Sequence, residues 1–314
     1  MTWLAVSEQL DHTRLPDLIR QTWNGDAGSL RYINTGANIV FRFESDGAGR
    51  YMRISHPVLH SINEAEATLA YLRHLNVSGT HVCAPVPARD GRFILPIDQD
   101  EFYAAVVEEV PGVPFALNTR DPAAFEAWGQ SLGKLHAAAA TYSPAPNTTY
   151  KDIDSAWEKV RPHVEAHGGD LLRVFEQTEA WMRSLPRHPG VFGLTHGDYR
   201  PGNVIWDGKT ARTVDFDEPM FNWYMVDFAR ALMEFGERPQ AERRQIRDAF
   251  AAGYRAYFQL DARLLDALTQ FMQLRGILMH AWILEDLAQR DPSTITHEER
   301  TLFREWAINP VDWS

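Results

Sequence analysis

The chain of 314 residues has one cysteine, Cys83, and four lysines, Lys134, Lys151, Lys159 and Lys209, so no lysine precedes residue 134. A single cysteine excludes an intrachain disulfide framework and makes a cytoplasmic setting the expectation. Long apolar runs are missing as well: none approaches the roughly 20 residues that a membrane helix requires. The opening stretch MTWLAVSEQLDHTRL lacks the basic start, apolar middle and small-residue cleavage site of a secretory signal. Internal repeats and low-complexity runs are absent too. Positive charge is scarce, with 31 Lys and Arg against 42 Asp and Glu for a net charge of −11. That balance would repel nucleic-acid phosphates over most of the surface. It suits a solvated acidic surface and is compatible with a cationic small substrate.

What is present is an ordinary globular balance, 45% apolar and 23% charged. The length exceeds one simple core and implies two domains. PDLIRQTW has a helical pattern. RYINTGANIVFRFES alternates around a Gly-Ala-Asn turn, and DGAGRYMRIS restarts a strand after a Gly-rich connection. A helix over 62–75 places Ile62, Ala65, Leu69, Leu72 and Leu75 on one side. RDGRFILPI and FYAAVVEEV read as two further strands. The expectation is a five-stranded antiparallel sheet with one crossing helix over residues 1–110. A hinge near 108–113, at VPGVPF, leads into a larger, mainly helical domain over 111–314. There Asp121 is a candidate N-cap, with Pro122 at the first helical position.

The chemistry gathers in LTHGDYRPGNV, residues 194–204, and in VDFDEP, which follows a small hairpin turning at Asp207-Gly208. Asp198 and Asn203 stand five residues apart, and Asp215 follows twelve later. Phosphoryl transfer asks for such a set: one carboxylate orients and deprotonates the attacking hydroxyl, while an amide oxygen and a second carboxylate hold Mg²⁺ on the nucleotide. The Pro201-Gly202 pair permits the sharp turn that the loop needs.

HGDYRPGN followed by VDFDEP resembles the aminoglycoside phosphotransferase and choline kinase family, relatives of the protein kinases. The resemblance covers nearly the whole chain. It implies an α+β, bilobal protein-kinase-like fold and an ATP-dependent, Mg²⁺-requiring transfer to a hydroxyl of a small molecule, with GTP not excluded as donor. Asp198 would be the base, and Asn203 and Asp215 the metal ligands. His196, Arg200, Asp217 and Asp227 would support the catalytic loop, Asp217 standing where protein kinases have glycine. The NTGANIVF turn would cover the phosphates, with Gly36 and Asn38 at its tip, and the backbone of Glu108 and Val110 would meet the adenine edge. Trp223, Tyr224, Trp282 and Asp286, with Glu285 beside the last, are candidates for the acceptor pocket or for plain packing and a solvated face.

One departure stands out. Kinases of this type grip the α- and β-phosphates with a third-strand lysine paired to a helix glutamate. RYMRIS offers Arg53 there instead. Arginine is always charged and can contact phosphate bidentately, but its planar head differs in shape from an ammonium. The alternative is a surface arginine on an edge strand. Its helix partner is Glu66 or Glu64, and Glu66 lies nearer the expected apolar face. Two other readings stay open: a protein Ser/Thr kinase of the same fold, and a nucleotide-binding pseudokinase that has lost its lysine. The acceptor and the oligomeric state are not legible.

Overall fold

Apolar residues recur at every second position of β2 (Ile39–Ser45), and Ile39, Phe41 and Phe43 all enter one core. The computed structural model describes residues 6–97, 101–289 and 296–313, the side chains of 285–289 excepted. The chain divides into two units, Met1–Pro111 with Ser143–Thr149, and Gly112–Tyr142 with Tyr150–Ser314. The loop ending at Thr149 therefore goes with the first unit, whereas the sequence groups it with the second domain.

In the first unit, β1 (Gly25–Thr35), β2, β3 (Ala48–Ser55), β4 (Pro85–Val86), β5 (Leu95–Ile97) and β6 (Phe102–Glu108) form an antiparallel sheet. Its order is β1-β2-β3-β6-β4, with β5 also paired to β6, which gives six strands rather than five. The extra strand, β4, is two residues long, too short to show alternation. Asp46 and Gly47 join β2 to β3 with φ of 52° and 75°, the left-handed pair that a two-residue hairpin needs. Helix α1 (Leu15–Trp23) buries Leu15, Ile19 and Trp23 in the same core, the Trp23 ring 6.5 Å from Phe43.

Helix α2 (Ile62–Val77) opens on a capping box. The Ser61 hydroxyl accepts from the Glu64 amide, and the Glu64 carboxylate accepts from the Ser61 amide at 2.8 Å. Its buried residues are Ala67, Leu69, Tyr71, Leu72 and Leu75. Ile62 is exposed and Ala65 only half-buried, so the apolar face is rotated away from the one read from the sequence.

In the second unit β7 (Val113–Pro114) precedes α3 (Pro122–Ala139), whose N-cap Asp121 accepts from the Ala123 amide at 3.0 Å. Then come β8 (Lys151–Asp152), α4 (Ile153–His167), α5 (Gly169–Ser184), β9 (Phe192–Thr195), β10 (Val204–Trp206), β11 (Ala211–Thr213) and β12 (Met220–Trp223). Helices α6 (Tyr224–Leu232), α7 (Gln240–Arg255), α8 (Ala262–Asp266), α9 (Leu268–Gln289) and α10 (His297–Ile308) complete the unit. The strands form two small sheets, ordered β11-β10-β7 and β8-β12-β9. Helices α3 and α7 meet backbone to backbone: a Cβ on Gly129 would lie 2.0 Å from the Phe250 carbonyl oxygen, and one on Gly253 would lie 1.9 Å from that of Glu126. Helix α9 packs on α4, α6 and α10. Among the described residues no helix is long and apolar enough to cross a membrane.

Candidate active site

Antiparallel pairing of β9 with β12, Thr195 opposite Met220, delivers the chain into the loop 196–200. Gly197 sits there at φ 89°, and a Cβ would lie 1.8 Å from the Glu218 carbonyl oxygen, so no side chain fits. The loop backbone is held from below by Asp227, fully buried in the first turn of α6. Its Oδ2 accepts from the His196 amide at 2.6 Å and its Oδ1 from the Gly197 amide at 3.0 Å. His136 Nε2 lies 3.2 Å from Asp227 Oδ2, and His136 Nδ1 lies 2.8 Å from the Tyr254 hydroxyl. Burial pushes the His136 pKa below its ordinary value, against the pull of Asp227. A neutral ring fits both contacts, with Nε2–H donating and Nδ1 accepting.

The His196 ring spans the loop. Its Nδ1 accepts from the Asp198 amide at 3.2 Å, and its Nε2 donates to the Val214 carbonyl at 3.0 Å. Phe216 closes over it, with ring centroids 4.4 Å apart.

Asp198 stands among three guanidinium groups. Its Oδ1 accepts from Arg230 Nε at 2.7 Å and from Arg275 Nη2 at 3.2 Å. Its Oδ2 lies 3.2 Å from Arg200 Nε and 3.3 Å from Asn203 Nδ2. Burial alone would raise its pKa, but Arg230 and Arg275 outweigh that and hold the carboxyl well below the usual carboxylate range. The group is an anion at any working pH.

Asn203 ends a single 3₁₀ turn, Pro201–Asn203, and is buried. Its Nδ2 also donates to the Asp198 carbonyl at 2.9 Å, which turns its Oδ1 away from Asp198. The Val214 amide donates to the Asn203 carbonyl at 3.0 Å, extending the β10–β11 ladder in which Val204 faces Thr213. The hairpin thus returns the chain to Asn203 one residue before Asp215. Asp215 is exposed and left-handed, at φ 67°, a conformation that aspartate tolerates better than most residues. An amide oxygen and a carboxylate are the hard donors that Mg²⁺ takes. No cluster of three or more His, Cys, Asp or Glu side chains able to hold a metal occurs among the described residues. A cation here would complete its shell with phosphate and water.

A cavity of about 740 Å³ opens beside Asp198. Arg230 and Arg275 line it, as do Trp282 and Ile283 of α9 and Phe303 and Trp306 of α10. Trp223 and Tyr224 are not among its lining residues. Both are buried: Trp223 Nε1 donates to the Pro186 carbonyl at 2.8 Å, and Tyr224 stacks on His136 at 4.4 Å. They are core residues because β12 and the start of α6 run beneath the loop. Asp286 and Glu285 lie outside the residues whose side chains are described.

In the first unit, the Gly36 amide donates to the Asn38 carbonyl at 2.9 Å, closing the β1–β2 turn. The Asn38 side chain is buried and accepts from the Ser55 hydroxyl, so it anchors the turn instead of standing at its tip. Arg53 faces Val40 on one side and Ala105 on the other, so β3 is an interior strand and not an edge. Glu66 is exposed, whereas Glu64 is half-buried and engaged in the capping box. The rotation of the α2 apolar face reverses the expected order of the two acids. The Glu108 amide donates to the Ala84 carbonyl at 2.9 Å, while the Glu109 amide donates to Gly49 at 3.1 Å. Strand alternation therefore turns the Glu108 carbonyl to the side away from β3, and Val110 lies just beyond the end of β6.

Asp217 is half-buried just after Phe216. The sequence reading missed His136, Arg230, Arg275 and the α10 wall. Arg230 lies three residues beyond Asp227 in MVDFARAL, a spacing that puts both on one helix face. Arg275 and Trp306 had no local signal.

Residues 29–264 match the model of the phosphotransferase enzyme family. The chain belongs to this family. It is 25% identical over 291 residues to an amicoumacin kinase of Bacillus subtilis (strain 168), across 87% of this chain and 84% of that protein. A solved amicoumacin kinase in complex with AMP-PNP, Ca²⁺ and Ami superimposes with a TM-score of 0.86 at 18% identity, over 99% of this chain and 97% of that one. A microcompartment-associated aminopropanol kinase gives 0.74 at 23% identity, over 95% and 94%. The fold is the protein-kinase-like α+β fold, and the protein is an enzyme of the phosphotransferase class. Helices α9 and α10 lie beyond the matched stretch.

Proposed function

We propose that this phosphotransferase moves the γ-phosphoryl group of ATP to a hydroxyl of a small molecule seated in the cavity beside Asp198. The observation that carries the reading is the environment of Asp198, an ionised carboxylate opening onto a cavity of about 740 Å³ and held in place by Asn203. That volume lies within the range of small-molecule pockets. The relatives act on compounds of this class, since an amicoumacin kinase and an aminopropanol kinase share the fold.

Asp198 aligns the acceptor hydroxyl and takes its proton. The transition state is loose, so positioning outweighs basicity, and a carboxylate of low pKa serves. The proton is accepted late, as the new O–P bond forms. Asn203 Oδ1 and the Asp215 carboxylate would hold Mg²⁺, which would supply neutralisation of phosphate charge. His196 and Asp227 keep the loop in shape. Gly36 and the Arg53 guanidinium take the phosphates, with Asn38 acting through the turn it anchors. The Glu108 carbonyl and Val110 amide take the adenine edge, and a glutamate of α2, Glu64 before Glu66, steadies Arg53.

Thermal melting with ATP or GTP, with and without Mg²⁺, tests the donor half without a known acceptor, because ligand binding raises the melting temperature by mass action. A Mg²⁺-dependent rise with ATP that shrinks in Arg53→Ala is expected. No rise with either nucleotide would refute the donor site. A screen of hydroxylated amines, amino alcohols and antibiotics with γ-labelled ATP then identifies the acceptor.

A further inference from the structure

Helices α3 and α7 meet along a glycine seam that fixes how far apart their side chains stand. A Cβ on Gly133 would lie 2.5 Å from the Tyr254 carbonyl oxygen, so α7 approaches α3 here as only a bare glycine allows. His136 follows Gly133 by three residues, on the same side of α3. Its Nδ1 and the Tyr254 hydroxyl are 2.8 Å apart. The surroundings are closed and aromatic. Tyr224 stacks on His136 at 4.4 Å, and Phe258 lies edge-on to His136, Tyr224 and Tyr254 at 6.4, 5.3 and 6.0 Å. His136 and Asp227 are fully buried, and Tyr254 is 2% exposed.

In such a cage each proton has one place. The Asp227 carboxylate already accepts two loop amides and offers no donor, so His136 Nε2 carries the proton between them. Nδ1 of the neutral ring is then a lone pair, and the Tyr254 O–H is its donor. Burial pushes the Tyr254 hydroxyl well above its usual pKa of 10, which keeps that donor in place. Without the hydroxyl, Nδ1 would be desolvated and unpaired, and Asp227 alone would choose which way the ring faces. We propose that Tyr254 is a positioning residue for the catalytic loop, acting through His136 and Asp227. The relay runs from α7 through α3 and α6 to the amides of His196 and Gly197, immediately before Asp198. That the loop is catalytic rests on the phosphotransferase reading. The competing account makes Tyr254 a packing ring, for which phenylalanine would serve equally.

Hydrogen–deuterium exchange of the full chain, read on peptides spanning 192–200, separates these accounts without nucleotide or acceptor. Tyr254→Phe keeps the ring and removes only the hydroxyl. The proposal expects the loop amides to exchange roughly tenfold faster, as loss of one buried hydrogen bond implies. The rise should exceed that in peptides of α3 and α7, where a packing defect would show. Phosphoryl transfer from γ-labelled ATP should lose kcat and keep KM for ATP. His136→Leu cuts the relay at its middle, so adding Tyr254→Phe to it should quicken loop exchange no further. If His136→Leu does not fold, Tyr254→Phe alone carries the test. Loop exchange that is unchanged in Tyr254→Phe, or quickened no more than that of the two helices, overturns the proposal. A wild-type kcat, or additive effects of the two substitutions, overturns it as well. Failure of the phosphotransferase reading shows separately, as absence of ATP stabilisation in wild type, and leaves the exchange result standing.

Discussion

The side-chain nitrogen of Asn203 donates to both the backbone carbonyl and the Oδ2 of Asp198, at 2.9 and 3.3 Å. One amide thus fixes the loop carboxylate and, by its orientation, presents its own oxygen elsewhere. Asn203→Asp removes the donor and sets a second anion against Asp198. Turnover should fall roughly a hundredfold or more, and the remaining rate should need a different Mg²⁺ concentration. Initial rates across a Mg²⁺ series check this, and an unchanged profile would dissociate Asn203 from the metal.

Asp227 is the buried acceptor for two loop amides and for His136. Asp227→Asn replaces one accepting oxygen by a nitrogen that faces a donor. The loss should be roughly 3 kcal/mol or more of stability, visible as a melting temperature lower by several degrees, with activity reduced in parallel. A variant with wild-type melting would mean that the loop is held by other contacts.

His280 of α9 is buried with neither ring nitrogen hydrogen-bonded, its ring edge-on to His167 at 5.9 Å. Burial, with His167 and Arg304 nearby, lowers its pKa from 6.5 to about 4. The unfolded chain therefore takes up a proton that the folded chain refuses, and stability falls as pH drops from about 6.5 towards 4. His280→Leu should lose less melting temperature over that window than wild type. Parallel losses would exclude His280 as the source.

Phe303 of α10 lines the cavity and stacks on Trp306 at 5.4 Å. Phe303→Ala should raise KM for the acceptor roughly tenfold while leaving KM for ATP unchanged. Steady-state kinetics with each substrate varied in turn decides it, and an effect on ATP alone would remove α10 from the acceptor site.

Part of the candidate site's geometry is legible in the sequence because its contacts are local. Asp198 and Asn203 are tied by turn residues a few positions apart, and the Asp207-Gly208 hairpin carries the chain back towards Asp215. Asp121 and the Asp46-Gly47 turn were readable for the same reason. Long-range partners were not. Arg275 reaches Asp198 from 77 residues away, and nothing in the sequence around a helical arginine announces its distant acceptor. Helical periodicity puts Ile62 and Ala65 in the core and so favours Glu66, but the capping box draws the first turn of α2 to the surface. Trp223 and Tyr224 can be read from the sequence as pocket or as packing residues, and their burial beneath the loop decides for packing.

Asp198→Asn separates the role of Asp198 in phosphoryl transfer from its place in the loop. The isosteric amide avoids leaving Arg230 and Arg275 facing an empty space, as alanine would. Transfer of label from γ-labelled ATP to the acceptor is measured beside ATP binding. Loss of transfer by roughly a thousandfold, with ATP binding intact, is the predicted result. Transfer at the wild-type rate would remove Asp198 from the chemistry.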